Sequence, residues 1–176
     1  VSQGIYFLLL RWIDPADGLV AHLLSLVLLA LAVLLLVILV SRIAGMRAAI
    51  IVGLVYACLG SVPSLIAWVS LSQDLLAICF ILAAFLLRDC GRNTLALICS
   101  ALAVLSKEPA ICAVPVLAFW DRLVGRRVLQ HENSIVPYAL MVFAWFLVHP
   151  GIQAMLEDGL RGRSMGYVRL TQPSQW

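Results

Sequence analysis

Apolar runs alternate with short polar breaks along the whole chain, and the breaks recur too often for a single buried core. Leu19 to Val40 carries no charged residue and ends at "SRIAGMR". As a helix with 1.5 Å rise per residue it is about 33 Å long, enough for a hydrocarbon layer of ~30 Å. Five further runs follow the same plan: Ala48 to Gly60, Asp74 to Leu87, Thr94 to Leu105, Ala110 to Trp120 and Ser134 to His149. "SVPS" interrupts the chain after the second, because proline removes a backbone donor. "LIAWVSLSQD" reads as an interfacial stretch with Trp68 at headgroup depth. Trp12, Trp120, Trp145 and Tyr138 fit the same belt.

The pattern predicts an all-α, polytopic transmembrane bundle of about six spans. Residues 1–150 form the membrane region, and residues 151–176 form a polar tail. Several runs are short for a span, and interfacial turns or local thinning of the bilayer would make up the difference. One alternative joins Thr94 to Trp120 into a single kinked helix. It would put Lys107 and Glu108 near the midplane, where each charge costs several kcal/mol, on the order of 3. Two short helices meeting at a surface turn avoid that cost.

Composition agrees with this class. The chain is 64% hydrophobic and 12% charged, with a mean hydropathy of +1.06, against roughly 25% charged in a soluble domain. A net charge of +3, spread over several loops, does not make a nucleic-acid surface. Cys58, Cys79, Cys90, Cys99 and Cys112 form no CxxC or Cys/His cluster, so they read as small apolar residues rather than metal or disulfide partners. No zinc spacing, phosphate loop or dinucleotide fingerprint occurs. The chain starts at Val1 and shows no signal-peptide pattern, so its native start is expected upstream.

Charge orients the spans. Arg42, Arg47, Arg88, Arg92, Arg122, Arg126 and Arg127 fall in alternate loops, and Lys107 alone falls in the loops between. The arginine loops are therefore expected in the cytoplasm. Asp14, Asp17, His22, Asp74, Lys107 and Glu108 then share the outer surface, which faces the periplasm or a lumen. Two explanations of Lys107-Glu108-Pro109 stand side by side. Either the charges mark a turn and pair with each other, or Lys107 receives an anion at the outer leaflet. Pro109 begins the next helix, where its missing N–H costs nothing.

Two stretches carry a family resemblance. "AWVSLSQDLLAICFILAAFLL" resembles a "W-[IV]-S…D-[LV]-L" element followed by a Phe-rich helix. "LAVLSKEPAICAVPVLAFWDRL" resembles an "L-[SA]-K-E-x-x-[IV]…P…D" element. Both elements, in this order, are similar to those of membrane glycosyltransferases with the GT-C fold. The protein O-mannosyltransferase-like and tetratricopeptide-repeat-bearing enzymes are the nearest varieties, and the likeness covers residues 19–127. It implies a polyprenyl- or dolichyl-phosphate sugar donor, a protein or glycan acceptor, and transfer at the periplasmic or luminal side of a bacterial inner membrane or an endoplasmic reticulum membrane. No cofactor and no metal is expected, since no zinc spacing, phosphate loop or dinucleotide fingerprint occurs. Asp74 takes the acidic place of the first element, and Lys107 and Glu108 take the Lys-Glu place of the second. On this resemblance Asp74 and Glu108 are catalytic and Lys107 holds the donor phosphate.

Asp14 and Asp17 of "RWIDPADG" are candidates for the acid of the first outer loop. They also read as the turn ahead of the first span, since Asp-Pro and Asp-Gly favour turns. The family places that acid after an earlier span, so the chain alone is expected not to transfer sugar. The chain also departs from the family ahead of Trp68, where Pro63 is present without the usual His and Glu. Two other classes compete with the enzyme. A transporter or channel subunit usually carries an ionisable group near the midplane, and no run here does. A structural or assembly membrane protein is the other.

Overall fold

The computed structural model describes residues 18–59, 72–124 and 135–149. Asp14, Asp17, the stretch around Trp68 and the tail beyond His149 lie outside the described residues. Every described element is helical: α1 Gly18–Ala44, α2 Met46–Cys58, α3 Ser72–Asp89, α4 Asn93–Ser106, a 3-10 turn Glu108–Cys112, α5 Ala113–Ala118, α6 Trp120–Leu123 and α7 Ile135–Val148. The all-α expectation therefore holds among the described residues. Within α1, His22–Ala44 is long and apolar enough to cross a membrane by length and composition, and it is the only such segment among the described residues. The chain divides into two units, Val1–Ala139 and Leu140–Trp176, and the following concerns the first.

The connections are made by glycine and proline. Gly45 alone separates α1 from α2, with φ +87°. The missing Cβ removes the cost of that conformation. At the end of α3, Gly91 sits at φ +75°. The Arg92 amide donates to the Leu87 carbonyl (2.8 Å) and the Gly91 amide to that of Arg88 (2.9 Å). This reversed pair of bonds is a Schellman cap, and it turns the chain straight into α4.

The run predicted as one helix from Ala110 to Trp120 is instead three pieces, the 3-10 turn, α5 and α6. Pro109 and Pro115 explain the difference. Neither has an N–H, so the i→i−4 ladder cannot run unbroken through residues 108–119. Lys107 itself is extended (φ −151°, ψ 125°), which breaks the chain between α4 and the turn. The single-helix alternative over Thr94 to Trp120 is thereby excluded. α1, α3 and α4 outrun the expected runs, α2 is shifted two residues toward the N-terminus, and α7 is one residue shorter at each end. α3 covers Ser72–Asp89 rather than Asp74 to Leu87 and is about 27 Å long.

α3 lies between α1 and α4, and α1 lies between α2 and α3. Contacts between Ser25 and Ser72 and between Arg42 and Asp89 show that α1 and α3 run parallel. The hairpins make α2 and α4 antiparallel to them. The seams are built mostly from small side chains: Ser25 and Ala32 on α1, Ala49 and Gly53 on α2, and Ala96, Ser100 and Ala103 on α4. A Cβ at Gly53 would lie 2.6 Å from Val37 Cγ2, so α1 and α2 approach as closely as glycine allows. Many large apolar side chains point outward, among them Leu23, Val27, Leu34, Ile51, Leu54 and Ile98, while Leu39, Leu75 and Leu117 are buried.

Candidate functional site

The parallel and antiparallel order sorts the charged residues to two ends, about 21 Å apart along α3 from Asp74 to Arg88. One end holds Asp74, Lys107 and Glu108. The other holds Arg42, Arg88, Asp89, Asp121 and Arg122. The sequence grouping of alternate loops is thus a spatial grouping for these residues.

At the first end, Asp74 lies in the first turn of α3, where the helix dipole favours a carboxylate. α3 is held there by a buried Ser25–Ser72 hydroxyl bond of 2.9 Å to α1. A second staple follows deeper, where the Cys79 thiol donates to the Leu28 carbonyl at 3.3 Å. Lys107 comes from the extended residue that follows α4, and its Nζ lies 3.3 Å from Asp74 Oδ1 and 3.4 Å from Oδ2. Both side chains are part-exposed, 38% for Lys107 and 26% for Asp74. Charge-assisted N–H···O bonds close to about 2.7–2.9 Å when tight, so this pair is loose. A pair of this exposure contributes on the order of 0–1 kcal/mol.

The pair sits at the head of a cleft of about 320 Å³. Ala77, Ile78, Ile81 and Leu82 of α3 form one wall, and Pro109, Ala110 and Ala113 of the 3-10 turn and α5 form the other. Asp74 and Lys107 are its only charged lining residues among the described ones. The cleft is thus an apolar trough with a zwitterionic mouth. Lys107 and Asp74, predicted as site residues from separate motifs, meet here. Glu108 is exposed and does not line the cleft. The turn-marker explanation paired Lys107 with Glu108, but the carboxylate that faces the ammonium across the cleft belongs to Asp74. Asp14 and Asp17 lie outside the described residues. No group of three or more His, Cys, Asp or Glu side chains among the described residues is arranged to hold a metal ion.

At the second end, Arg42 Nε donates to Asp89 Oδ2 at 2.7 Å, and Arg88 Nη2 donates to Asp121 Oδ2 at 2.7 Å. The Asp89 side chain is fully buried and that of Arg88 is 2% exposed. The Arg88 guanidinium also stands over the ring of buried Tyr138, 5.6 Å from its centroid. Phe85 packs on Trp120 with ring centroids 4.7 Å apart. The sequence reading took these arginines as membrane anchors and missed their partners. The signal was present: Arg88-Asp89 and Asp121-Arg122 close helices that end on the same side.

No protein-family model, curated protein or solved structure matches the chain.

Proposed function

We propose that the chain is the membrane-embedded part of a glycosyltransferase that takes its sugar from a polyprenyl- or dolichyl-phosphate donor. The carrying observation is the Lys107–Asp74 pair at the mouth of an apolar cleft. A lipid-linked donor has the complementary form, an anionic phosphate at headgroup depth continued by a hydrocarbon tail. Lys107 stabilises the charge that grows on the departing lipid phosphate. Asp74 accepts the proton of the acceptor hydroxyl. The bond between the anomeric carbon and the phosphate oxygen breaks, and a bond from that carbon to the acceptor oxygen forms. The acceptor is a protein or a glycan. The resemblance of the Trp68–Asp74 and Lys107–Asp121 stretches to GT-C enzymes supports the same reading.

The setting we infer is a bilayer. Val27 and Ile51 are 63% exposed and Leu54 is 61% exposed, while the seams hold Ala, Gly and Ser. Leaving such a side chain in water forgoes roughly 1.5–3 kcal/mol, whereas lipid imposes no such cost. Small residues at the seams let helices approach where no hydrophobic drive joins them. We assign six spans, with the arginine end in the cytoplasm and the Lys107 end facing the periplasm or lumen. A bacterial inner membrane is the assigned site, and an endoplasmic reticulum membrane is the alternative.

Donor binding tests this reading. With the chain in lipid nanodiscs, Lys107→Ala is expected to weaken binding of a labelled polyprenyl-phosphate sugar by about tenfold or more, the value of one charge-assisted contact. Glu108→Gln is expected to change it by less than about threefold. Unchanged affinity in Lys107→Ala leaves the pair as a turn marker and refutes the proposal.

A further inference from the structure

We propose that the Lys107–Asp74 pair is an exchangeable latch. A phosphate monoester or diester entering the mouth takes Asp74's place on the ammonium, which opens the cleft and frees the carboxylate. The inference rests on the reading of the cleft as a phosphate-headed site, and it adds the order of events at that site.

Three observations carry it. The first is a contrast between two ion pairs that tie the same two segments together. At the far end, Arg88 holds Asp121 at 2.7 Å, and the cation is 2% exposed while the carboxylate is 33% exposed, so the contrast lies in the buried cation and the short contact. At the mouth, Lys107 meets Asp74 at 3.3 and 3.4 Å with both groups open to solvent. One end is an anchor, and the other is made to part. The second is the backbone. Lys107 is a single extended residue between α4 and the 3-10 turn, so its side chain can swing without unwinding either helix. The third is charge balance. Among the described residues, Asp74 and Lys107 are the only charged lining residues, one of each sign. A phosphate that binds Lys107 while Asp74 stays in place meets an anion at contact distance, and this repulsion is removed only when the carboxylate moves away.

The consequence is an ordered site. Before the anion arrives, the ammonium lies against both oxygens of Asp74. After exchange the carboxylate is free of the cation and open to an acceptor hydroxyl, so the proton acceptor is best presented when the donor is seated.

The sign of one mutational effect decides the matter. The full chain in nanodiscs is titrated with decyl phosphate and, separately, with inorganic phosphate. If Asp74 competes for Lys107, Asp74→Asn binds decyl phosphate about threefold or more tightly than the parent. If Asp74 instead pre-positions the ammonium, Asp74→Asn binds more weakly, and the proposal is overturned. A change within twofold overturns it as well. Asp74→Ser gives an independent reading, with helix content by circular dichroism as the control for folding. Inorganic phosphate is expected to bind at least tenfold more weakly than decyl phosphate. Equal binding of the two would remove the lipid from the underlying reading yet leave the latch testable by the same sign. Absence of binding by either probe to the parent chain overturns both.

Discussion

Arg88 and Asp121 meet at 2.7 Å, 33 positions apart in sequence, and join the end of α3 to α6. The guanidinium is buried and rests over Tyr138. α3 therefore carries an ion pair at each end, a firm one here and a loose one at Lys107, at the head of the cleft.

Removing the firm one should be costly. Arg88→Ala leaves Asp121 without its cation and a gap beside Tyr138. Asp121 is 33% exposed, so the loss is expected at about 1–3 kcal/mol, that of a charged hydrogen bond and the packing of the buried Arg88 side chain. The double variant Arg88→Met, Asp121→Leu should be less destabilised than Arg88→Ala. Unfolding by denaturing detergent, followed by helix content, measures both. Equal stability of Arg88→Ala and the parent would show that the pair holds nothing.

The α1–α2 seam gives a steric prediction. Gly53→Ala would bring a Cβ to 2.6 Å from Val37 Cγ2. Valine has few rotamers within a helix, so it cannot swing aside. A cost of about 1–3 kcal/mol is expected from overpacking, and Val37→Ala in the same chain should restore most of it. Full tolerance of Gly53→Ala alone would mean that the two helices do not approach this closely.

How much of this was legible in the sequence depends on the kind of physics involved. The helices were legible because apolar runs and Gly/Pro breaks are local: Gly45, Gly91 and Pro109 each act on their own neighbours. Asp74 and Lys107 were each marked as site residues, yet their meeting needed the α3–α4 hairpin, which is a tertiary fact. The ion pairs of Arg42 and Arg88 were missed because charge next to a helix end has a sufficient local explanation as an anchor. The split of Ala110 to Trp120 was missed because its composition is uniformly apolar. Only the two proline positions, and not hydropathy, carry the break.

Sidedness gives a third prediction. Cys58 ends α2 on the Lys107 side, and Cys90 follows α3 on the arginine side; both are exposed. In sealed cells a membrane-impermeant maleimide should label Cys58 and leave Cys90 at background until the membrane is opened. The reverse pattern would invert the proposed orientation.

The central claim is that a lipid phosphate lies in the trough below Lys107 and Asp74, and photolabelling tests it most directly. A diazirine-bearing isoprenoid phosphate is irradiated with the chain in nanodiscs, and the labelled residues are mapped by mass spectrometry. Labelling is expected to concentrate on Ile78, Ile81 and Leu82 of α3 and on Ala110 and Ala113 opposite. Excess unlabelled decyl phosphate should suppress it, and Lys107→Ala should reduce it about tenfold. Label spread evenly over the outward faces of α1 and α2, indifferent to competitor and to Lys107, would contradict it.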